Sequence, residues 1–237
     1  MIFSVCPHDI VKQLQTWLDM GAYLGHKLGV PVQLRRAMDF QEFYQSLHQS
    51  DMVFVNPMDA WVLHATHGFL PISRTELYDE VAFFAPAGST SASLENLEGQ
   101  PIGAVEKQFA TYLGLYLLRQ QGIEPGEVRF LDSWIQVVRK VVDGEIPYGL
   151  LYSDFLRGLS SLSRSMIQVI YESETRYATH MFLMHPRHEA MCEKVLAVLE
   201  NMVNDIRGSA ILQALQLGRW VPAQDLGVIG EVVAGGV

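Results

Sequence analysis

The amino-acid sequence predicts an α/β fold of two lobes, each a mixed β-sheet flanked by helices. Two observations carry this prediction. Short apolar runs alternate with amphipathic helical segments, and the alternation falls into two blocks separated by a polar, turn-rich break. With 237 residues, of which 49% are hydrophobic and 18% charged, the chain is long enough for one large domain or two small ones.

The first block begins with an apolar strand at residues 2–5, which Pro7 ends. Apolar residues then recur at helical spacing over residues 10–28, and Gly29 followed by Pro31 closes that helix. In order along the chain, the pattern next predicts a strand at 32–34, a helix around 40–47, a strand at 51–55 and a helix from 57 through Leu63.

The second block follows an apolar strand at 81–85 and a polar break at 86–91, where we expect the chain to cross between lobes. Strands at 101–105, 128–131 and 148–152 then alternate with helices at 109–121 and 133–142. The chain is predicted to return near 166–171, to add a strand at 181–184 to the first lobe, and to close with helices at 189–203 and 209–215. Residues 232–237 have no periodicity and are expected to be frayed. Lobe 1 is therefore predicted as residues 1–82 and 174–237, and lobe 2 as residues 83–173.

Charge and cysteine content narrow the classes of function. Seventeen basic residues against 26 acidic ones give a net charge of −9 without a basic run, which argues against a nucleic-acid partner. No segment reaches the ~20 apolar residues that cross a bilayer, and no targeting signal is visible. The lack of a visible targeting signal is compatible with two locations: an extracytoplasmic protein whose signal has been removed, or a cytoplasmic protein. The two cysteines, Cys6 and Cys192, are interpreted as separate thiols, although one disulfide is an alternative.

A series of short motifs, in order along nearly the whole chain, resembles one protein family. They are LGVPV at 28–32, DMVFVNP at 51–57, LENLEGQPIG at 94–103, GIEP at 122–125, VDGEIPYG at 142–149 with YSD at 152–154, and ILQAL at 211–215 near WVP at 220–222. The family is that of the phosphate/phosphite/phosphonate-binding proteins of ABC importers, with their sensor-domain relatives. The resemblance implies the type II periplasmic-binding-protein fold, two crossovers and a small ligand in a cleft between the lobes. It also implies an ABC permease or a signalling protein as partner, and no cofactor.

Residues directly after strands of the first lobe are candidate ligand contacts, because ligands of open α/β sheets lie beyond the carboxyl ends of the strands. They are Cys6, His8, Asn56 and Met58. Asn56 is alternatively a helix cap and Met58 a core residue. The thiol of Cys6 and the imidazole of His8 suit a soft metal, but no third ligand is identifiable, so no metal site is predicted.

The second lobe departs from the family where its anion site should be. The resemblance implies a Ser-Thr-Ser turn before the helix at 109–121, whereas this chain has Gln108, Phe109 and Ala110 there. Trp134 stands where the family often has a polar histidine, and an aromatic side chain favours stacking over anion chelation. The candidate ligand residues after the break are Lys107, Gln108, Phe109, Thr111, Trp134, Tyr152, Asp154 and Arg176. Asp154 is alternatively a helix N-cap.

These observations predict a solute-binding protein or ligand-sensing domain with altered specificity, and not an enzyme. Histidines at 64 and 67, and at 180, 185 and 188, are interpreted as surface or capping residues, since nucleophile, phosphate-loop and metalloprotease motifs are absent. Two alternatives remain. One is a cytoplasmic enzyme of the same fold that acts on a small metabolite, and the other is a partner-binding module without a ligand.

Overall fold

Two β-sheets organise the chain in a computed structural model that describes residues 1–37, 40–90 and 93–236, without the side chains of His8, Val11, Lys12 and Phe40. Within these residues one sheet has six strands and the other has five. Each sheet belongs to its own compact unit. Unit 1 comprises residues 1–78 and 179–226, and unit 2 comprises residues 79–178 and 227–237.

Unit 1 contains a mixed sheet flanked by helices. In chain order its elements are β1 (Ile2–Val5), α1 (Pro7–Leu28), β2 (Gln33–Arg35), α2 (Phe40–Ser46), β3 (Met52–Val55), α3 (Pro57–His67), β4 (Leu70–Tyr78), β10 (Thr179–Met184), α8 (Cys192–Glu200), α9 (Ile206–Leu215) and β11 (Val221–Pro222). The strand order in the sheet is β11-β4-β10-β3-β1-β2. Strand β1 runs parallel to β2 and β3, whereas β10 is antiparallel to β3 and β4.

The core of unit 1 forms where α1 covers the central strands. Phe3, Phe54 and Phe182 come from β1, β3 and β10, and each is at most 1% exposed. The ring of Trp17 on α1 lies 5.2 Å from that of Phe54, with the planes tilted by 33°. Burying each such aromatic side chain contributes roughly 1.5–3 kcal/mol, so this cluster fixes the strands and α1 against one another.

Unit 2 contains a second mixed sheet flanked by helices. Its elements are β5 (Val81–Pro86), β6 (Pro101–Val105), α4 (Phe109–Gln120), β7 (Glu127–Leu131), α5 (Trp134–Val142), β8 (Tyr148–Tyr152), α6 (Ser153–Arg157), α7 (Ser161–Ser165), β9 (Ile167–Glu172) and α10 (Gly227–Gly235). The strand order in the sheet is β7-β6-β8-β5-β9. Strand β6 is parallel to β7 and β8, while β5 is antiparallel to β8 and β9.

The predicted class, two mixed sheets flanked by helices, is confirmed, but the unit boundaries differ from the predicted lobe boundaries. The first boundary falls before Asp79, because β5 pairs with β8 and β9 from Val81 onward. The frayed end expected at 232–237 is wrong over its described part: Gly227–Gly235 forms helix α10, which packs on α4 within unit 2. None of the described helices is long and apolar enough to span a bilayer.

Candidate functional site

Three parallel strands of unit 2 end at one edge of its sheet. Because β6 pairs in parallel with both β7 and β8, the residues after all three strands lie beyond the same edge. Lys107 and Gln108 follow β6, Trp134 follows β7, and Ser153 follows β8. Open α/β sheets bind ligands at such an edge, so this is the candidate site of unit 2.

The turn after β6 differs from a hydroxyl-rich anion loop. Lys107 is exposed and has a φ of 59°, in the left-handed region that non-glycine residues seldom adopt. Phe109 is 1% exposed and belongs to the core. The hydroxyl of Thr111 donates to the carbonyl oxygen of Val105 at 2.7 Å, so this hydrogen bond stabilises the turn and the hydroxyl proton is already used. Gln108 is the N-cap residue of α4, and its side chain makes no capping hydrogen bond.

Two hydrogen-bond donors at this edge are buried without an acceptor among the described residues. They are the indole Nε1 of Trp134 and the hydroxyl Oγ of Ser153. Trp134 is 2% exposed and Ser153 0%. An unpaired buried polar group costs about 1–3 kcal/mol, so such groups call for an explanation such as a ligand that pairs with them.

Tyr152 and Asp154 flank Ser153. Tyr152 ends β8 and is 5% exposed. Asp154 lies in the first turn of α6, whose N-cap residue is Tyr152, so the alternative interpretation of Asp154 as the cap does not hold. Ser153 was missed by the sequence argument, although its position directly after a strand is the same signal that selected its neighbours.

Arg176 belongs to unit 2 and adopts a left-handed conformation, with a φ of 55°. The buried carboxylate of Glu80 holds this segment by accepting from the hydroxyls of Ser173 and Thr175 and from the backbone N–H of Arg176, the last at 2.6 Å. The side chain of Arg176 is exposed. Strained backbone of this kind costs about 1–3 kcal/mol and is concentrated at functional sites.

The candidate residues of unit 1 lie at the carboxyl edge of β1 and β3. Asn56 is the N-cap residue of α3: its amide oxygen accepts from the backbone N–H groups of Met58 and Asp59. Its amide nitrogen donates to the carboxylate of Asp59 at 2.6 Å. Both the oxygen and the nitrogen of this amide therefore have partners within the protein, and the residue is only 2% exposed. Met58 is half-buried in the first turn of α3. The side chain of His8 lies outside the described residues.

Cys6 is fully buried and is the N-cap residue of α1. Its thiol lies together with side chains of Asp9 and His180 in a cluster whose possible ligand atoms are all within 4.8 Å of one another. Neither Cys6 nor Cys192 forms a disulfide within the described part of the chain. This agrees with the interpretation of the two cysteines as separate thiols. The sequence did not predict that Asp9 and His180 lie next to Cys6.

Other histidines support local structure, as the sequence suggested. The side chain of His185 accepts from the N–H of Arg187, and Nε2 of His188 lies 2.6 Å from the carboxylate of Asp51. Burial raises the pKa of Asp51, but hydrogen bonds from the backbone of Ile2 and from the side chains of His188 and Arg187 outweigh it and lower the pKa to about 2. Asp51 is therefore ionised at neutral pH and joins β1, β3 and the segment after β10.

A surface pocket of about 480 Å³ also lies within unit 2, between α4 and β7. Its lining combines apolar side chains, among them Leu115 and exposed Phe130, with the charged side chains of Glu106, Arg119 and Glu124. None of the predicted ligand residues whose side chains the structure describes lines it. The sheet edge remains the better candidate, because polar side chains and strained backbone occur together there.

Comparisons with known proteins agree with this arrangement. The sequence model of the family described as "ABC transporter, phosphonate, periplasmic substrate-binding protein" matches residues 3–226. None of the curated proteins compared with the chain matches it.

Solved structures with the same fold share little sequence with the chain. PhnD1 from Prochlorococcus marinus, solved with methylphosphonate, has a TM-score of 0.82 and 14% identity over 98% of this chain and 96% of its own. A binding-protein component of an ABC phosphonate transporter from Pseudomonas aeruginosa has a TM-score of 0.80 and 13% identity over 98% and 84%. A protein from Xanthomonas citri bound to ATP has a TM-score of 0.78 and 16% identity over 100% and 96%.

At these identities the solved structures establish the fold. The family match establishes more, since it extends over almost the whole chain and includes most of each unit. This chain belongs to the periplasmic substrate-binding proteins of phosphonate ABC transporters.

Proposed function

We propose that this protein captures a small solute at the sheet edge of unit 2 and that its specificity differs from that of simple phosphonate binders. Family membership supports the capture of a ligand. It also supports an extracytoplasmic place of action and an ABC permease as partner. A sensor input domain would use the same capture step. Members of the family are substrate-binding proteins rather than enzymes.

The observation that carries the proposal is the pair of buried donors at the sheet edge of unit 2. The Nε1 of Trp134 and the Oγ of Ser153 have no acceptor among the described residues. A ligand with an oxygen acceptor would satisfy them. The exposed cations Lys107 and Arg176, each in a left-handed backbone conformation, supply positive charge that suits an anionic group on that ligand.

The altered specificity rests on what surrounds these donors. Gln108, Phe109 and Ala110 stand where the family resemblance implies hydroxyls, and the hydroxyl of Thr111 already donates to Val105. An indole ring adds apolar surface and a single donor. We therefore propose a carboxylate or a substituted phosphorus oxyanion, attached to an apolar or aromatic group, as the ligand class.

The first experiment is a thermal-shift screen against methylphosphonate, phosphate, organic acids, amines and nucleotides. A ligand that binds the native state raises the melting temperature in proportion to its concentration and affinity. We expect the largest shift from an anion with an apolar substituent. Strong, selective stabilisation by methylphosphonate or phosphate would contradict the altered specificity while leaving solute capture intact.

Substitution then tests the buried donors. Trp134→Phe removes the indole N–H, and Ser153→Ala removes the hydroxyl. Each should weaken binding of the ligand found in the screen by about tenfold, the value of one hydrogen bond of ~1.4 kcal/mol. The matched control is Trp220→Phe, because Trp220 also has a buried Nε1 without an acceptor among the described residues but lies in unit 1. Calorimetric titration showing equal losses for Trp134→Phe and Trp220→Phe would rule out the proposed role.

A further inference from the structure

The cluster of Cys6, Asp9 and His180 in unit 1 is not used by the proposed solute site of unit 2. It combines a thiol, a carboxylate and an imidazole, which are three of the side-chain types that bind transition metals. The possible ligand atoms of the three residues lie within 4.8 Å of one another. Cys6 and Asp9 are close in sequence, whereas His180 comes from the distant strand β10.

Sheet topology explains why these residues meet. Cys6 directly follows β1 and caps α1, and Asp9 lies three residues later in the first turn of that helix. Strand β3 lies between β1 and β10. Because β10 runs antiparallel to β3, with Met181 opposite Val55, the start of β10 lies at the edge where β1 and β3 end. His180 is the second residue of β10 and is thereby brought to Cys6 and Asp9.

The distances suit a common ion. The Nε2 of His180 lies 3.6 Å from the Oδ2 of Asp9. Two ligand atoms bound to one tetrahedral Zn²⁺ lie about 3.3–3.8 Å apart when the bonds are about 2.0–2.3 Å long. The possible ligand atoms of all three residues, including the thiol of Cys6, lie within 4.8 Å of one another.

The surroundings hold the groups in place. The imidazole of His180 is packed 5.4 Å from the ring of Phe54 in the core of unit 1, and the indole Nε1 of Trp17 donates to the backbone carbonyl of Asp9 at 3.2 Å. Cys6 is fully buried and the side chain of His180 is 7% exposed, whereas that of Asp9 is 20% exposed. An ion held here would be shielded on most sides and reachable beside Asp9.

We propose that Cys6, Asp9 and His180 bind a divalent transition-metal ion, for which Zn²⁺ has the best-matched preferences. A thiolate, an imidazole and a carboxylate are all common zinc ligands, and three protein ligands leave a fourth position for water or another molecule. This site goes beyond solute capture, and the titration that tests it contains no solute.

The test uses the full chain, reduced and stripped of metal with a chelator, and titrated with Zn²⁺ alone against a chromophoric competitor. One ion per chain should bind. Cys6→Ser and His180→Gln should each weaken binding by at least about 100-fold, which exceeds the usual effect of losing a supporting hydrogen bond. Cys192→Ser and His26→Gln are matched controls, since Cys192 is the second cysteine and His26 is an exposed histidine of α1. Both should leave the affinity unchanged.

A second measurement guards against variants that fail to fold. Co²⁺ bound to a thiolate gives a charge-transfer absorption band in the near ultraviolet. Since the chain has only two cysteines, a band that persists in Cys192→Ser identifies Cys6 as the ligand without any change to the cluster. Absence of stoichiometric Zn²⁺ binding, a Co²⁺ complex without the thiolate band, or loss of the band in Cys192→Ser would each overturn the proposal.

Discussion

Asp51 shows how one buried carboxylate can fasten three segments of a fold. It accepts from the backbone N–H of Ile2 at 2.6 Å, from Nε of Arg187 at 2.8 Å, and lies 2.6 Å from Nε2 of His188. The backbone N–H of His185 also donates to its carbonyl oxygen. The start of β1 is thus tied to the segment after β10 through a single ionised side chain.

The lowered pKa of Asp51 predicts a pH dependence of stability. The carboxyl has a pKa of about 2 in the folded protein, and an unfolded aspartate has a pKa of about 3.9. The ionised form therefore stabilises the fold above pH ~4 by something on the order of 2 kcal/mol, and this contribution is lost as the pH falls toward about 2. Asp51→Asn should flatten the fall in the free energy of unfolding between these pH values, as measured by urea denaturation.

The control for this prediction is Glu193→Gln, which removes an exposed carboxylate of α8. It should leave the slope of stability against pH nearly unchanged. An equal slope for Asp51→Asn and the unsubstituted protein would show that the contacts of Asp51 contribute little.

At the scale of single elements, helix α10 is the clearest case of local structure imposed by packing. Its sequence contains glycines at 227, 230 and 235, and Gly230, in the interior of the helix, weakens it by about 1 kcal/mol relative to alanine. The helix is nevertheless present because Ile229, Val232 and Val233 are buried, and the guanidinium of Arg119 on α4 donates to the carbonyl of Gly235 at 2.8 Å.

Val232→Ser should therefore destabilise unit 2. Val232 is 1% exposed, and replacing it with a smaller polar side chain should cost ~2 kcal/mol through the lost burial and the buried hydroxyl. Ala234→Ser, at an exposed position of the same helix, should change stability by less than about 0.5 kcal/mol. Hydrogen exchange should show faster opening in α4 of the Val232→Ser protein. Unchanged exchange there would mean that α10 contributes little to unit 2.

The elements that were predicted well are those whose own sequence contains a clear local pattern. The bounds of α4 and α5 agree with the predicted helices at 109–121 and 133–142 to within one residue, since both have apolar residues at helical spacing and a polar start. Strand β4 (Leu70–Tyr78) was missed because it includes Pro71, Arg74 and Glu76 and is only partly buried. Its pairing with β10, a contact distant in sequence, determines its conformation.

The same distinction applies to the site. Strand ends are visible in the sequence, so Trp134 and Tyr152 could be selected from it, and whether they bind a ligand stays a prediction. The meeting of His180 with Cys6 depends on which strand β10 pairs with, and no local pattern contains that information. The sequence around Cys6 and His8 therefore shows no third metal ligand.

At the scale of the whole molecule, the chain passes from one unit to the other three times. Two of these passages, at Tyr78–Asp79 and Ala178–Thr179, correspond to the two predicted crossovers, and the third is at Leu226–Gly227. The added passage takes α10 into unit 2. Met1 consequently belongs to unit 1 and the last described residues to unit 2.

This packing offers an optical test for the unidentified solute. An environment-sensitive dye at exposed Ala234 on α10 should change its emission when a ligand binds at the sheet edge of unit 2, because α10 packs on α4 and α4 begins directly after Gln108 at that edge. A compound that fails to raise the melting temperature should leave the emission unchanged. Constant emission at saturating ligand would show that α10 does not sense the candidate site.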